Sequence, residues 1–331
     1  MTDSLVQAYA PLLFWTGLGI FICRFLPESF PRLLGRSLYW VGIPLEIFTL
    51  ARQTEFSQQA SLAPMITVVT LLGGLGLAWL TLQGIKQAEQ ARGVEIEKGK
   101  ETALAIAPYW QQSPWQGSFL IGSVLGNTGF VGLAIAPVFV SPQFQSWLVL
   151  YSVTQNIVGT YGIGVFLASY FGRPDQDNRW WTQLRDVLTV PSLWAFAIST
   201  VTRSIEISPL IETGLHGSIW LVIPAALLLM GMRLSQIRGW QSLRLAIAPT
   251  VVKALVMPLL VGILTPFAGI GADARLALVL MAGMPTAFAG LILAEEYELD
   301  RELIASSIVL TTGTLLLTIP LWLVLFGQGI P

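Results

Sequence analysis

Charge, cysteine and histidine are all scarce in this chain. Only 37 of its 331 residues (18 Lys and Arg, 19 Asp and Glu) carry charge, or 11%. An ordinary soluble domain carries about a quarter. One cysteine, Cys23, and one histidine, His216, exclude an intrachain disulfide and a Cys/His metal cluster. Cys23 reads as a small hydrophobe in an apolar run. His216, among Glu212, Thr213 and Gly217, reads as a solvated loop side chain. A formal net charge of −1 gives no pull toward polyanions and excludes a nucleic-acid binder with a basic face. What the chain has in excess is apolar surface: 54% of residues are hydrophobic and mean hydropathy is +0.68. A soluble enzyme and a disordered chain are therefore excluded. A polytopic membrane protein, with the lipid bilayer as its solvent, fits. The opening MTDSLVQAYAPLLFW has no basic segment and no small-residue cleavage site, and reads as the start of a first span rather than a signal peptide.

A bilayer-crossing helix needs about 20 mostly apolar residues. Ten stretches qualify: 7–25, 36–52, 61–83, 117–140, 146–171, 187–203, 216–234, 243–266, 274–294 and 302–327. The sixth is the weakest, bounded by Arg185, Asp186 and Arg203. The runs are continuous rather than alternating, which argues against a β-barrel. Odd-numbered loops hold fourteen Lys or Arg residues, from Arg24 to Arg301; the opposite side holds only Arg52, Arg203 and Arg275. The positive-inside rule then puts the odd loops in the cytoplasm and both termini outside, in a multi-pass plasma (inner) membrane protein. Trp110, Trp115, Trp147, Trp180, Trp181 and Trp240 suit an interfacial belt.

The two halves resemble each other. Asn127-Thr128-Gly129-Phe130-Val131-Gly132-Leu133 in span 4 matches Pro285-Thr286-Ala287-Phe288-Ala289-Gly290-Leu291 in span 9 at Thr, Phe, Gly and Leu. Trp40-Val41-Gly42-Ile43-Pro44 matches Trp220-Leu221-Val222-Ile223-Pro224. Leu62-Ala63-Pro64 matches Ile247-Ala248-Pro249, and Gly159-Thr160 matches Gly313-Thr314. The matches are collinear and pair spans 2 to 5 with spans 7 to 10. Five spans per repeat is odd, so a second copy inserts upside down. The expected organisation is a first five-helix repeat over 1–172 and an inverted one over 173–331. Inverted repeats mark secondary transporters, whose substrates bind near the midplane at discontinuous helices.

Two such discontinuities are expected. Span 4 carries Gly122, Gly126, Asn127 and Gly129 at mid-membrane; span 9 carries Gly283-Met284-Pro285-Thr286. Glycine and proline weaken the helical ladder, and the freed groups need protein or a water-filled cavity. Both helices should unwind and cross here. Their half-helix N-termini would aim partial positive charge at the crossing, which suits an anion. Asn127, Thr128, Gly129, Pro285 and Thr286 are the candidate substrate residues. Ionisable residues within spans mark function by default. Lys253 could bind a carboxylate or stand in for a coupling cation. Glu46 could pair with Lys253 or accept a coupling proton. Gln155 and Asn156 are adjacent, so they face different ways. Thr311 and Thr312, their rough counterparts in span 10, often bond their own helix backbone. Glu295, Glu296, Glu298, Asp300 and Glu302 read as a solvated acidic cap. The charged stretch from Lys86 to Glu101, within the long 84–116 connection, reads as a solvated or interfacial helix.

At these residues the chain resembles the auxin efflux carrier family, the bacterial relatives of plant PIN transporters. The strings are Gly126-Asn127-Thr128-Gly129-Phe130-Val131-Gly132-Leu133, Met284-Pro285-Thr286-Ala287, Leu293-Ala294-Glu295-Glu296-Tyr297 and the span 7 end from Pro224 to Ser235. Position 134 is Ala where the family usually has proline in span 4, so the break is expected to rest on the glycines and Asn127. The resemblance implies a ten-helix fold like that of bile acid/sodium symporters. Spans 1, 2, 6 and 7 would form a scaffold, and spans 3–5 and 8–10 an elevator-like transport domain. It favours Asn156 over Gln155 as cavity lining and sets Lys253 beside the crossing. The implied function is export of a small organic anion, auxin-like or carboxylate, by a secondary transporter. Proton coupling or uniport is favoured over the alternative, a sodium-coupled symporter. A homodimer is allowed. No nucleotide-binding motif, metal site or catalytic constellation is visible, so neither a cofactor nor an enzyme is expected.

Overall fold

An apolar run placed in lipid has nowhere to pair its backbone N–H and C=O groups except within its own helix. The computed structural model is accordingly helical throughout. It describes residues 2–27, 29–53, 60–97, 108–172, 180–235 and 240–327, and among these there is no strand beyond one isolated bridge. Helix α1 is Thr2–Cys23, and α2 runs over 30–53 with one π turn at Leu38–Gly42. Helix α3 is Leu62–Glu97, α4 is Ser113–Val124 and α5 is Thr128–Val138. Helix α6 covers 145–172 and contains a π stretch at Gln155–Gly164. Then come α7 (Trp180–Leu188), α8 (Pro191–Val201), α9 (Pro209–Leu234) and α10 (Trp240–Leu245). Last are α11 (Ile247–Ala268), α12 (Ala272–Ala282), α13 (Phe288–Glu296) and α14 (Arg301–Phe326).

Among the described residues, five helices are long and apolar enough to cross a bilayer: α1, α3, α9, α11 and α14. The apolar stretch expected at 187–203 is divided. Helix α7 ends at Leu188, and α8 restarts at Pro191 and has only 11 residues. Proline at the first helical position has no N–H to offer a preceding turn. At 1.5 Å per residue α8 spans about 16 Å, roughly half the hydrocarbon thickness. The charged connection after span 3 begins as a direct continuation of α3, which reaches Glu97. Lys98, Lys100 and Glu101 lie outside the described residues. His216 is exposed, but it sits within α9 rather than in a loop.

Small residues set the closest contacts. Helix α1 packs against α9 along its length. Gly19 and Gly231 meet backbone to backbone: a Cβ on Gly19 would lie 2.0 Å from the Leu228 oxygen, and one on Gly231 would lie 2.0 Å from the Thr16 oxygen. This is the small-residue packing that membrane helices use, where apolar burial alone gives no preference for a neighbour over lipid. Helix α2 packs against α8 and α9. Helix α4 is surrounded by α3, α6, α11 and α14, and α12 by α6, α11 and α14. Most residues of α4 and α12 are buried as a result. Those two buried half-helices hold the breaks.

At one end of the molecule Arg233, in the last turn of α9, meets Glu295 in α13. Two N–O pairs, at 2.8 and 3.1 Å, make a fork-to-fork contact. Glu295 is therefore not part of a solvated cap. Glu296, Glu298 and Glu302 are exposed, and Asp300 caps α14 by accepting the Leu303 N–H at 3.0 Å.

Candidate functional site: the paired helix breaks

Helix α4 stops at Val124 and α5 begins at Thr128; α12 stops at Ala282 and α13 begins at Phe288. Leu125 and Ala287 are extended (ψ 122° and 130°). Pro285 has no N–H and biases Met284 away from helix. The two breaks lie side by side and satisfy each other. Asn127 N–H donates to the Pro285 oxygen at 2.7 Å, and Ala287 N–H donates to the Leu125 oxygen at 2.8 Å. Gly126 and Thr286 thus form an antiparallel bridge. Left unmade and buried, each bond would cost about 1–3 kcal/mol.

Side chains satisfy the rest. Thr286 N–H donates to Thr311 Oγ1 at 3.0 Å, and Thr286 Oγ1 donates to the Gly122 oxygen at 2.8 Å. Thr311 also donates to the Ser307 oxygen in its own helix. The Gly122 carbonyl is one of the orphans at the end of α4. Lys253, only 1% exposed, donates from Nζ to the Ala282 oxygen at 2.9 Å. That oxygen lies at the C-terminus of α12, where a cation also meets the negative end of the helix dipole. Gly126 makes room for the lysine, since a Cβ there would lie 2.8 Å from Nζ. Among the described residues, Lys253 and Glu46 form no ion pair.

Glu46 sits at the other break-flanking glycine. A Cβ on Gly129 would lie 3.3 Å from Glu46 Oε1 and 3.2 Å from Asn156 Nδ2. Glu46 is 2% exposed, and its Oε1 has no hydrogen-bond partner among the described residues. These groups line a cavity of about 20 Å³ together with Asn127, Phe130, Tyr161 and the first residues of α13, Phe288 and Ala289. The opening turns of α5 and α13 therefore both face one space, and Glu46 lies in it. A volume of about 20 Å³ takes one water and no organic acid.

The structure brings Asn127, Gly129, Asn156 and Glu46 around this cavity. Gln155 does not line it; it is buried beside Gly159 with Nε2 unpartnered. Thr128 is fully buried with an unpartnered hydroxyl. Pro285 and Thr286 are engaged in the bridge, and Lys253 abuts it from the Gly126 side. Sequence reasoning missed Tyr161 and the tie from Thr311 to Thr286. Tyr161 follows Asn156 by five residues inside the π stretch, where i and i+5 share a face. An α-helical period separates them, so only the cluster Gly159, Gly162 and Gly164 hinted at irregular winding.

Residues 179–323 match the family model for membrane transport proteins. An uncharacterized transporter of Methanothermobacter thermautotrophicus is 25% identical over 309 residues, covering 90% of this chain and 89% of the relative. Another uncharacterized transporter, from Methanocaldococcus jannaschii, is 24% identical over 306 residues, covering 90% of each. The resemblance to the auxin efflux carrier family stands on these matches, and the chain is similar to multi-pass membrane transport proteins.

Proposed function

We propose that this membrane transport protein is a secondary transporter that exports a small organic anion by alternating access around the paired breaks. The observation that carries the reading is the shared cavity: two half-helix N-termini, Asn127, Asn156 and an unpartnered Glu46 carboxylate converge on one buried space. Helix N-termini attract anions. In this conformation the space is too small for the cargo, so the surrounding helices must part for it to enter.

The reading includes ten spans in two inverted five-helix repeats, 1–172 and 173–331, with both termini outside the plasma membrane. The collinear motifs support it, as does the pairing of the two helix breaks at Gly126 and Thr286. The packing of α1 with α9 and of α2 with α8 supports a scaffold separate from an elevator-like transport domain built on α3–α6 and α10–α14. In that scheme Asn127 and Asn156 bind the cargo directly. Thr128, Gly129, Pro285 and Thr286 shape the crossing through their backbone, and Gln155 backs it. Lys253 supplies the resident positive charge.

Glu46 gives the coupling. Its carboxylate occupies the position that a cargo anion would take, and two anions at one pair of helix ends repel each other. A proton on Glu46 removes the conflict, so cargo and proton would bind together, and export would then run down the cargo's own gradient. Sodium coupling would need several oxygen ligands in a region where Lys253 already places a cation.

The test is flux of radiolabelled acid in proteoliposomes, since a monoanion that moves with one proton carries no net charge. Monocarboxylates, dicarboxylates and indole acids are applied with and without proton and sodium gradients. A saturable flux for one acid, lost in Asn127→Ala while the protein stays folded, is expected. Unchanged transport in Asn127→Ala would sink the crossing site, and a flux that follows sodium rather than protons would overturn the proton coupling.

A further inference from the structure

A second cavity lies at the far end of α2, next to the connection between α8 and α9. It has a volume of about 430 Å³, within the range of small-molecule sites, and it is lined by Thr49, Arg52, Arg203, Ser204, Glu206 and Glu212 among others. Two of the three arginines on the sparsely basic face of the sequence therefore meet here. Arg52 is rigidly held. Its Nη1 donates to the Thr202 carbonyl and, at 3.1 Å, to Thr202 Oγ1; its Nη2 donates to the Ile205 oxygen at 2.7 Å. A guanidinium has five N–H donors. Among the described residues the Nε–H and one Nη2–H have no acceptor, which leaves two donors for a carboxylate. Among the described residues no carboxylate pairs with Arg52.

Helix α2 connects this space to the crossing. Ile43, Glu46, Thr49 and Arg52 recur every three residues, so each adjoins the next in a stripe that winds part-way around the helix. Ile43 and Glu46 line the inner cavity; Thr49 and Arg52 line the outer one. One helical step of about 4.5 Å separates Glu46 from Thr49. Glu206 and Glu212 set the selectivity. They face the same volume as Arg52 and outnumber the other cation there, Arg203, so a second carboxylate on the ligand would meet net negative charge.

We propose that the α2–α8–α9 cavity binds a small monocarboxylate with its carboxylate on Arg52, and that it is the station from which the crossing exchanges its cargo. The exchange step rests on the organic-anion reading above; the binding site does not. Ligands whose remainder is neutral or cationic fit it, and dicarboxylates do not.

The test is equilibrium binding of radiolabelled benzoate, lactate and succinate to the purified full-length protein in detergent, in an Asn127→Ala background that silences the crossing. Saturable benzoate or lactate binding is expected, with succinate at least tenfold weaker. Arg52→Lys keeps the charge but cannot fork, and should weaken monocarboxylate binding about tenfold. Glu206→Gln with Glu212→Gln should bring succinate to within about threefold of benzoate. Absent binding, or monocarboxylate binding that Arg52→Lys leaves unchanged, overturns the site. Should Arg52→Lys fail to fold, the glutamine pair decides: an unchanged succinate gap overturns the selectivity argument and with it the site. Binding at Arg52 in a protein that moves no acid in proteoliposomes would retain the site and reject the transport reading, so the two fail separately.

Discussion

Two buried side chains, one acid and one base, do opposite things at the crossing. Lys253 is tied into the frame through the Ala282 carbonyl, and Glu46 Oε1 has no hydrogen-bond partner among the described residues. Lys253→Met keeps a similar shape but strips the Ala282 carbonyl of its partner, at a cost of about 1–3 kcal/mol. A lower midpoint of thermal unfolding is expected in detergent; an unchanged midpoint would mean that the bond contributes nothing. Glu46→Gln keeps the shape and removes the exchangeable charge. Wild-type transport should rise as pH falls, because a proton on Glu46 admits the cargo. Transport by Glu46→Gln should be flat with pH, and a variant that keeps the wild-type slope would place the coupling proton elsewhere. Lys253 and Glu46 could both be picked out of the sequence as ionisable residues in apolar runs. Their bonds could not, because the partner of Lys253 lies 29 residues away in another helix.

Individual helices owe their placement to where side chains are missing. Gly231 and Gly217 occupy one helix, α9, and nothing in their local sequence distinguishes them. Gly231→Ala would push a methyl into the Thr16 carbonyl, whereas a Cβ at Gly217 meets nothing within 4 Å. Gly231→Ala should therefore destabilise by about 1–3 kcal/mol. Gly217→Ala should be neutral or stabilise by about 0.5–1 kcal/mol through helix propensity. Thermal unfolding of the two variants checks the difference; equal shifts would mean that α1 and α9 do not meet at Gly19 and Gly231. The same limit applies to the breaks. Gly126, Asn127 and Pro285 announced interruptions, since glycine and proline act locally. That Leu125 and Ala287 would pair across them depends on two distant segments meeting, which no local pattern encodes. The division of the sixth apolar stretch at Pro191 was half-legible: the proline was visible, but the apolar residues on both sides of it masked the stop.

Across the whole molecule, contacts at its two ends differ in kind. Arg52 clamps α2 to the residues that follow α8 through backbone oxygens. The Arg233–Glu295 pair joins α9 to α13 through a partly exposed ion pair. If α13 slides against α9 during transport, that pair must open in every cycle. A pair of this exposure is worth about 0.5–1 kcal/mol, or roughly two- to fivefold in a rate. Glu295→Gln should then raise the maximal rate two- to fivefold with little change in apparent affinity. An unchanged rate in proteoliposomes would show that the α9–α13 contact persists through the cycle.

The bridge between the breaks also constrains how the protein is made. Asn127 and its acceptor Pro285 are separated by 158 positions (285 − 127). A ribosome adding roughly 5–20 residues per second takes on the order of 10–30 s to cover that distance. Throughout that interval the first break has been synthesised and its amide has no mate, in a solvent that offers none. Nascent chains must therefore shelter this segment at the insertion machinery or at the wet membrane surface until the second half emerges. A ribosome stalled after the first half should leave an intermediate that is degraded faster than the finished chain, which pulse–chase labelling would show.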